Sequence, residues 1–254
     1  MTSLAQNART CLSSEVDAIA PTAEQAAHKA STRNEALFRD ALHLHLSERP
    51  AKEIDFFINR RRFDLMLSAI GSELARRPLR ILNAACGPFA FEFYVRPEGA
   101  VISAFDFDEQ LAEIHDNLVR ANLIAPCSFR LLDVADFTPA ALYNVVLVND
   151  LFYSKHVDFF AVIAAFAASV APGGVIYFDI QDERAGPVWR LLGKGNTTRR
   201  YNLNAVRSTL EHLGLKVEAV HPALGIKGGA DSFVRKILWN VFGIANNFAF
   251  VARR

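Results

Sequence analysis

Residues 79–88 read LRILNAACGP, a short apolar run that ends in a turn of small residues. A buried strand that stops at Ala-Ala-Cys-Gly lets a ligand approach the backbone, as nucleotide-type cofactors do at the end of a parallel sheet. Gly87 is the only glycine between Gly71 and Gly99, and Pro88 removes a backbone N–H donor. The turn therefore favours a cofactor without phosphates over a dinucleotide held by a GxGxxG turn.

After Pro78, short apolar runs alternate with helical patterns, which predicts an α/β fold with a doubly wound, largely parallel sheet. Helices are predicted over 108–123 with Asp108 as N-cap, over 157–170 with Pro172-Gly173-Gly174 as the stop, and over 204–213. Buried strands are predicted at residues 81–85, 101–105, 129–132, 145–148 and 175–178, with two late runs, 215–220 and 248–251, at the sheet edge.

The N-terminal third has a different pattern. Residues 1 to about 30 are rich in Ala, Ser and Thr, which predicts either a mobile segment or a loose helix. From about Asn34 to Arg77 the pattern is helical, and Phe63, Leu67, Ile70 and Leu74 follow the spacing of one helix face. We therefore expect a helical cap over residues 1–77 and a cofactor-binding domain over residues 78–254.

Composition narrows the function classes. The chain has 254 residues, a net charge of +1 and 51% hydrophobic residues, so it can form a large core and carries no global basic field for nucleic acid. Three scattered cysteines argue against a disulfide scaffold, and neither they nor the seven histidines form a metal-ligand pattern. No apolar run is long enough for a membrane span and no secretory signal is evident, so we expect a cytoplasmic protein.

Polar side chains stand at every predicted strand end. They are Asn83, Asp106, Asp133, Asn149 with Asp150, and Asp179. The strongest is Asp106, which lies 19 residues after Gly87, because an acid at the end of the second strand accepts ribose hydroxyls. Phe107 beside it is suited to pack on an adenine face. These features fit NAD, FAD and S-adenosylmethionine equally well.

Taken together, the motifs resemble those of the class I S-adenosylmethionine-dependent methyltransferases. ILNAACGPFAFEF resembles their first motif, ISAFDFDEQLAEIHDNL the second, RLLDVADF the third and YNVVLVNDLFYSKHV the fourth. The resemblance covers about residues 55–254. It implies a Rossmann-like sheet, mostly parallel with an antiparallel last strand, and S-adenosyl-L-methionine as cofactor. The residues it assigns to the cofactor are Asn83, Ala85, Cys86, Gly87, Asp106, Phe107, Asp133, Val134 and Asn149.

The first motif departs from the family pattern at three positions. Asn83 stands where an acid is usual, and Ala85 and Phe89 stand where glycines are usual. We expect Ala85 to be tolerated because a methyl group is small, and Phe89 to narrow or cover the cofactor pocket. The departures leave open a catalytically inactive, methyltransferase-like binding or partner protein. A nicotinamide-dependent oxidoreductase is a third hypothesis, against which the missing glycines count.

The activity implied is O- or N-methyl transfer to a small-molecule acceptor by in-line displacement, in which a base takes the acceptor's proton. The candidates follow the fourth strand: His156 is the first choice because it titrates nearest neutral pH, followed by Tyr153 and Asp150. The basic stretch 182–200, with Lys194 among its cations, is either a lid over an acidic or phosphorylated substrate or a solvated loop. No sequence feature specifies an oligomeric state.

Overall fold

The computed structural model describes residues 23–51, 54–55, 58, 60–96, 99–191, 198–223 and 237–254, so the predictions for residues 1–22 and Lys194 lie outside the described residues. The chain divides into two compact units, residues 1–37 and residues 38–254. In the first unit, described residues 23–37 are helical. The predicted domain boundary at residue 77 stays a prediction. No helix in the described part of the chain is long and apolar enough to cross a membrane.

The sheet confirms the expected fold class. The seven described strands are β1 Arg80–Ala84, β2 Val101–Asp106, β3 Ser128–Leu131, β4 Tyr143–Val148, β5 Val170–Gln181, β6 Lys216–Pro222 and β7 Asn247–Arg253. Their spatial order is β3-β2-β1-β4-β5-β7-β6. Strands β1 to β5 are parallel, and β7 runs antiparallel between β5 and β6.

Helices connect these strands. The α-helices are Ala23–His45, Arg60–Leu74, Ala90–Tyr94, Gln110–Arg120, Phe159–Ser169, Gly186–Leu191 and Leu203–His212, and residues 237–242 are also helical. Short 3-10 turns occupy Val134–Asp136, Leu151–Tyr153 and Glu183–Ala185.

Strand side chains alternate between two apolar layers. Ile81 packs in one buried cluster with Ile70 of helix Arg60–Leu74 and Ile114 of helix Gln110–Arg120. Leu82, the next residue, belongs to a second cluster with Phe166 of helix Phe159–Ser169. This period of two, with helices on both faces, explains the near-continuous apolar runs of β1 and β4.

Two predictions about helices are wrong in detail. In helix Arg60–Leu74, Phe63, Ile70 and Leu74 are buried as predicted, but Leu67 is 38% exposed, and Met66, at 1% exposure, takes its place on the buried face. The helix predicted over 157–170 lies at Phe159–Ser169, so its end was predicted to within one residue, but Pro172-Gly173-Gly174 does not stop it, because Val170 already begins β5. The Pro-Gly-Gly segment instead lies within a register shift between β4 and β5.

Gly174 explains why the segment needs a glycine. A side-chain Cβ atom there would lie 2.9 Å from the carbonyl oxygens of Ala171 and Asn144, so the backbone leaves no room for one. The Pro-Gly-Gly pattern therefore does mark an irregularity in the backbone, but the irregularity interrupts the pairing of two strands and not a helix.

Candidate functional site

The turn after β1 is tight and strained. Ala85, Gly87 and Phe89 all have positive φ, at 49°, 57° and 59°. Glycine adopts this left-handed region freely, whereas each of the other two residues costs roughly 1–2 kcal/mol there. The energetic cost of Ala85 therefore arises from its backbone conformation. The expectation that Ala85 is tolerated because its methyl group is small did not include this cost.

Phe89 does not reach the predicted pocket. Its side chain is fully buried, and its ring centroid lies 5.3 Å from those of His115 and Phe129 in the core. The expectation that Phe89 narrows or covers a cofactor pocket is wrong, because the left-handed backbone at this position directs the ring into the packed layer beneath the turn.

Asp106 ties the turn to the second strand. Its Oδ2 atom accepts a hydrogen bond from the N–H of Gly87 at 3.0 Å, and its Oδ1 atom accepts one from the N–H of Asp108 at 3.2 Å. The side chain is almost buried, and burial raises the pKa of its carboxyl, opposed by these backbone hydrogen bonds. Each carboxylate oxygen has a second lone pair, so Asp106 can still accept hydroxyl groups.

Asn83 is paired with an acid that sequence reasoning missed. Its Nδ2 atom donates to Oε1 of Glu92 at 2.8 Å, and both side chains are buried. Burial raises the pKa of Glu92 to about 7, opposed by the hydrogen bond from Asn83. An acidic side chain therefore lies next to position 83, and it comes from helix Ala90–Tyr94. The spacing from position 83 to position 92 carried no signal for this, since the contact depends on the turn between them.

The carboxyl ends of the strands surround a cavity of about 590 Å³, a size usual for small-molecule sites. Seven of the nine predicted cofactor residues line it: Ala85, Gly87, Asp106, Phe107, Asp133, Val134 and Asn149. Asn83 and Cys86 line a smaller cavity of about 50 Å³ that also touches Ala85, Gly87 and Asn149. Burial raises the pKa of the Cys86 thiol well above its ordinary value, so this side chain is a neutral wall.

One end of the main cavity is lined mainly by apolar side chains, with Asp133 as a polar group. Leu132 and Val134 line it, and the Phe107 ring beside them is 73% exposed. Asp133 accepts a hydrogen bond from the N–H of Ala135 at 2.9 Å, which fixes the start of the turn Val134–Asp136. Such a surface suits a flat heterocycle that presents hydrogen-bonding groups at its edge.

The other end is formed by the loop that follows β4. Asp150 and His156 line the cavity, and the His156 side chain is exposed. Tyr153 is not among the lining residues, because its hydroxyl donates to Oδ2 of Asp179. Oδ1 of Asp179 accepts the N–H of Asp150 at 2.7 Å, which holds Asp150 at a φ of 59°. Asp179, two residues before the end of β5, therefore sets the conformation of this loop.

Two lining residues come from the N-terminal part of the second unit and were not predicted. Leu46 and Arg49 face the same cavity, and the Arg49 guanidinium forms an ion pair with Asp108. Asp108 also accepts the N–H of Gln110 at 3.0 Å, but the N-cap of helix Gln110–Arg120 is Glu109 and not the predicted Asp108, because the helix begins two residues later than predicted. No sequence signal joins positions 49 and 108, which only the fold brings together.

Comparison with known proteins locates the fold among enzymes. No family model matches the chain, and no curated protein matches its sequence. Among solved structures, it is similar to the magnesium protoporphyrin IX methyltransferase ChlM from Synechocystis PCC 6803, crystallised with S-adenosylhomocysteine (TM-score 0.58, 14% identity, 87% of this chain and 99% of that one). It is also similar to the N-methyltransferase NodS from Bradyrhizobium japonicum WM9, crystallised with the same compound (TM-score 0.55, 15% identity, 78% and 87%).

The chain therefore has the fold of class I methyltransferases. The resemblance to this family that the sequence motifs indicated is confirmed for the fold. A further similar structure is that of the [4+2]-cyclase SpnF (TM-score 0.55, 12% identity, 75% of this chain and 80% of that one), so the reaction has to be argued from the site itself.

Proposed function

We propose that the protein is an S-adenosylmethionine-dependent methyltransferase that methylates a small molecule at oxygen or nitrogen. One observation carries the proposal: the Gly87 turn, the nearly buried Asp106 carboxylate and the loop after β4 all face one cavity at the carboxyl ends of the strands. Ligands of doubly wound sheets bind at this edge. The pocket has the volume and the apolar lining expected for an adenosine, with polar groups at both ends.

In the proposed complex, Asp106 accepts the ribose hydroxyls through its remaining lone pairs, and the adenine lies between Phe107 and Val134 with Asp133 at its edge. The amino acid tail passes the Gly87 turn toward the smaller cavity beside Asn149. A pyrophosphate is disfavoured because Pro88 has no N–H to donate at this turn.

S-Adenosylmethionine supplies an electrophilic methyl group, so the chain's own residues have to align the acceptor, exclude water and take a proton. His156 is assigned as the base because its exposed imidazole lines the cavity. Asp150 orients the acceptor. Tyr153, proposed from the sequence as a catalytic group, is reassigned as a positioning residue, since its hydroxyl donates to Asp179, which also holds Asp150.

A thermal-shift panel tests the cofactor. S-Adenosylmethionine and S-adenosylhomocysteine should raise the melting temperature, and NAD and NADP should not. Asp133→Asn should reduce the shift, while Asp136→Asn, an exposed neighbour that does not line the cavity, should leave it unchanged. A shift with NAD or NADP alone would instead support the oxidoreductase hypothesis.

Turnover tests the transfer step. Incubation with methyl-labelled cofactor and a metabolite extract should move label into an acceptor. The alternative hypothesis, a non-catalytic partner protein on the same fold, predicts a weak or absent thermal shift with either S-adenosyl compound and no label transfer with any extract.

A further inference from the structure

A second, open cleft of about 710 Å³ lies beside the loop that follows β4. Its walls come from the 3-10 turn Glu183–Ala185, from helix Gly186–Leu191 and from residues 198–200, together with Lys155 of the loop. The cleft is rich in cations, with Lys155, Arg190, Arg199 and Arg200 as lining residues. Nothing in the proposed methyl transfer uses this cleft.

Positive charge in the cleft exceeds negative charge. The acid among its described lining residues is Glu183, which accepts a hydrogen bond from Asn202. Arg199 is paired with Asp158 at 3.1 Å. Within the part of the chain that the structure describes, Lys155, Arg190 and Arg200 form no ion pair. A concave surface with one sign of charge concentrates ions of the opposite sign.

Arg200 is the most informative of these cations. It is half-buried, and its Nη1 atom donates to the carbonyl of Asp182 at 3.1 Å and to the Asn246 amide oxygen at 3.0 Å. The fully buried carboxylate of Asp182 is bound by Arg184 instead, at 2.8 Å. Partial burial lowers the pKa of the Arg200 guanidinium, opposed by the charge of Asp182. A partly desolvated guanidinium held by neutral acceptors is an energetically favourable partner for an incoming carboxylate or phosphate.

The wall that carries these arginines is fixed by backbone hydrogen bonds. The N–H of Tyr201 donates to the carbonyl of Gln181 at 2.8 Å, and the N–H of Glu183 donates to the carbonyl of Tyr201 at 3.0 Å. The N–H of Arg199 donates to the carbonyl of Tyr153 at 3.1 Å. The segment that carries Arg199 and Arg200 is thus attached to β5 and to the loop after β4, so the backbone at these two arginines is preorganised.

The same loop lines both cavities. Ser154 and His156 line the main cavity, and Lys155 between them lines the cationic cleft. We propose that Lys155, Arg190 and Arg200 form a subsite for a carboxylate or phosphate group of the methyl acceptor, so that the acceptor class is an anionic small molecule. This inference rests on the proposed methyltransferase function, because it places the reacting end of that acceptor beside His156.

The subsite is tested on the full chain with inorganic phosphate and with malonate, each titrated at constant ionic strength and followed by NMR chemical shifts. We expect saturable binding, with perturbed amides at residues 155, 190 and 200, and the stronger of the two probes identifies the anion. The double variant Lys155→Gln/Arg190→Gln should bind about tenfold more weakly. Arg120→Gln, a surface change in helix Gln110–Arg120, should bind as the wild type does.

Both substituted side chains are exposed, so the double variant should fold, and Arg200→Met provides a second test at the half-buried cation. Binding of phosphate and malonate that is non-saturable, or equally strong in the double variant and in Arg200→Met, would overturn the subsite. Calorimetry with S-adenosylhomocysteine runs in parallel. Cofactor binding without anion binding removes only the subsite. Anion binding without cofactor binding removes the methyltransferase function, and it leaves an anion-binding cleft that is no longer a subsite for a methyl acceptor.

A second arm tests the acceptor class. A metabolite extract is separated on an anion exchanger before incubation with methyl-labelled cofactor. Label should enter the retained, acidic fraction, and the double variant should lose most of that transfer. Transfer confined to the unretained fraction would contradict an anionic acceptor.

Discussion

The two ends of the main cavity are each held by a strand-end carboxylate, but only the first of these carboxylates lines the cavity. At the proposed cofactor end, defined by the turn Ala85–Phe89 and Asp106, the Asp106 carboxylate lines the cavity and accepts two backbone N–H groups. At the proposed acceptor end, defined by the loop Asp150–Asp158, the loop is held by Asp179 of β5, which is not a lining residue. A change at the first end should therefore alter cofactor affinity, whereas a change at the second should alter turnover and leave cofactor affinity intact.

The largest expected effect is at the acceptor end. His156→Ala should lower the turnover rate by about 100-fold or more, the usual contribution of a positioned base. Its dissociation constant for S-adenosylhomocysteine should stay within about twofold, since a lost rim contact changes affinity little. Label-transfer assays and calorimetry measure the two quantities. His212→Ala, at an exposed position in helix Leu203–His212, is the matched control. Equal losses of turnover in both variants would remove His156 from catalysis.

Asp106→Ala should act mainly on cofactor affinity, unlike His156→Ala, which should act mainly on the turnover rate. Loss of a nearly buried carboxylate that accepts two backbone N–H groups and the proposed ribose hydroxyls should weaken S-adenosylhomocysteine binding by about 100-fold. Calorimetry measures this. Asp116→Ala, at an exposed position in helix Gln110–Arg120, controls for charge. Unchanged affinity in a folded Asp106→Ala protein would exclude Asp106 from the cofactor site.

The buried Glu92 carboxyl should make the free energy of unfolding depend on pH. Its pKa is about 7 in the folded chain and 4.5 in a free carboxyl, so the folded state binds the extra proton between these values. The contribution of Glu92 to the free energy of unfolding is therefore largest below pH 4.5 and is lost as the pH rises through 7. Relative to Glu92→Gln, the wild type should lose about 2 kcal/mol between pH 5 and 8.

Urea denaturation at these pH values checks this difference. Glu113→Gln, an exposed acid on helix Gln110–Arg120, should show no such trend. Parallel pH profiles for the wild type and Glu92→Gln would mean that the Glu92 carboxyl is not protonated on folding.

The smallest expected effect is that of Tyr153→Phe. Asp179 would lose the Tyr153 hydroxyl as a donor while still accepting the N–H of Asp150. We expect a loss in turnover of about fivefold, consistent with one hydrogen bond, and an unchanged affinity for S-adenosylhomocysteine. Tyr143→Phe, in β4 and away from both cavities, is the control. A loss as large as that of His156→Ala would place the Tyr153 hydroxyl in proton transfer.

These two ends also differ in how far they could be predicted from the sequence. Asp106 and Asp133 could be located because strand ends follow from the alternation of apolar runs and helices, and parallel strands bring their carboxyl ends together. The same logic predicted the order of the elements, whereas the antiparallel last strand was implied by the resemblance to the methyltransferase family. Boundaries were less accurate, as at Val170, because Pro and Gly interrupt strands as well as helices.

Contacts that depend on side-chain direction could not be predicted. The burial of Phe89 follows from its positive φ, and the pairing of Asn83 with Glu92 follows from the turn between them. The ion pair of Arg49 with Asp108 joins distant parts of the chain. At the acceptor end, the sequence pointed to Tyr153 as a reacting group, and only the position of Asp179 reveals a donor that holds the loop.

Titration of S-adenosylhomocysteine into the full chain, followed by calorimetry, tests the central claim most directly. The account predicts one site per chain with a dissociation constant of about 10 μM or tighter, corresponding to roughly −7 kcal/mol. It also predicts that this binding is about 100-fold weaker in Asp106→Ala and is kept in His156→Ala. The absence of binding heat in the wild type at about 1 mM ligand would contradict a cofactor site at the Gly87 turn.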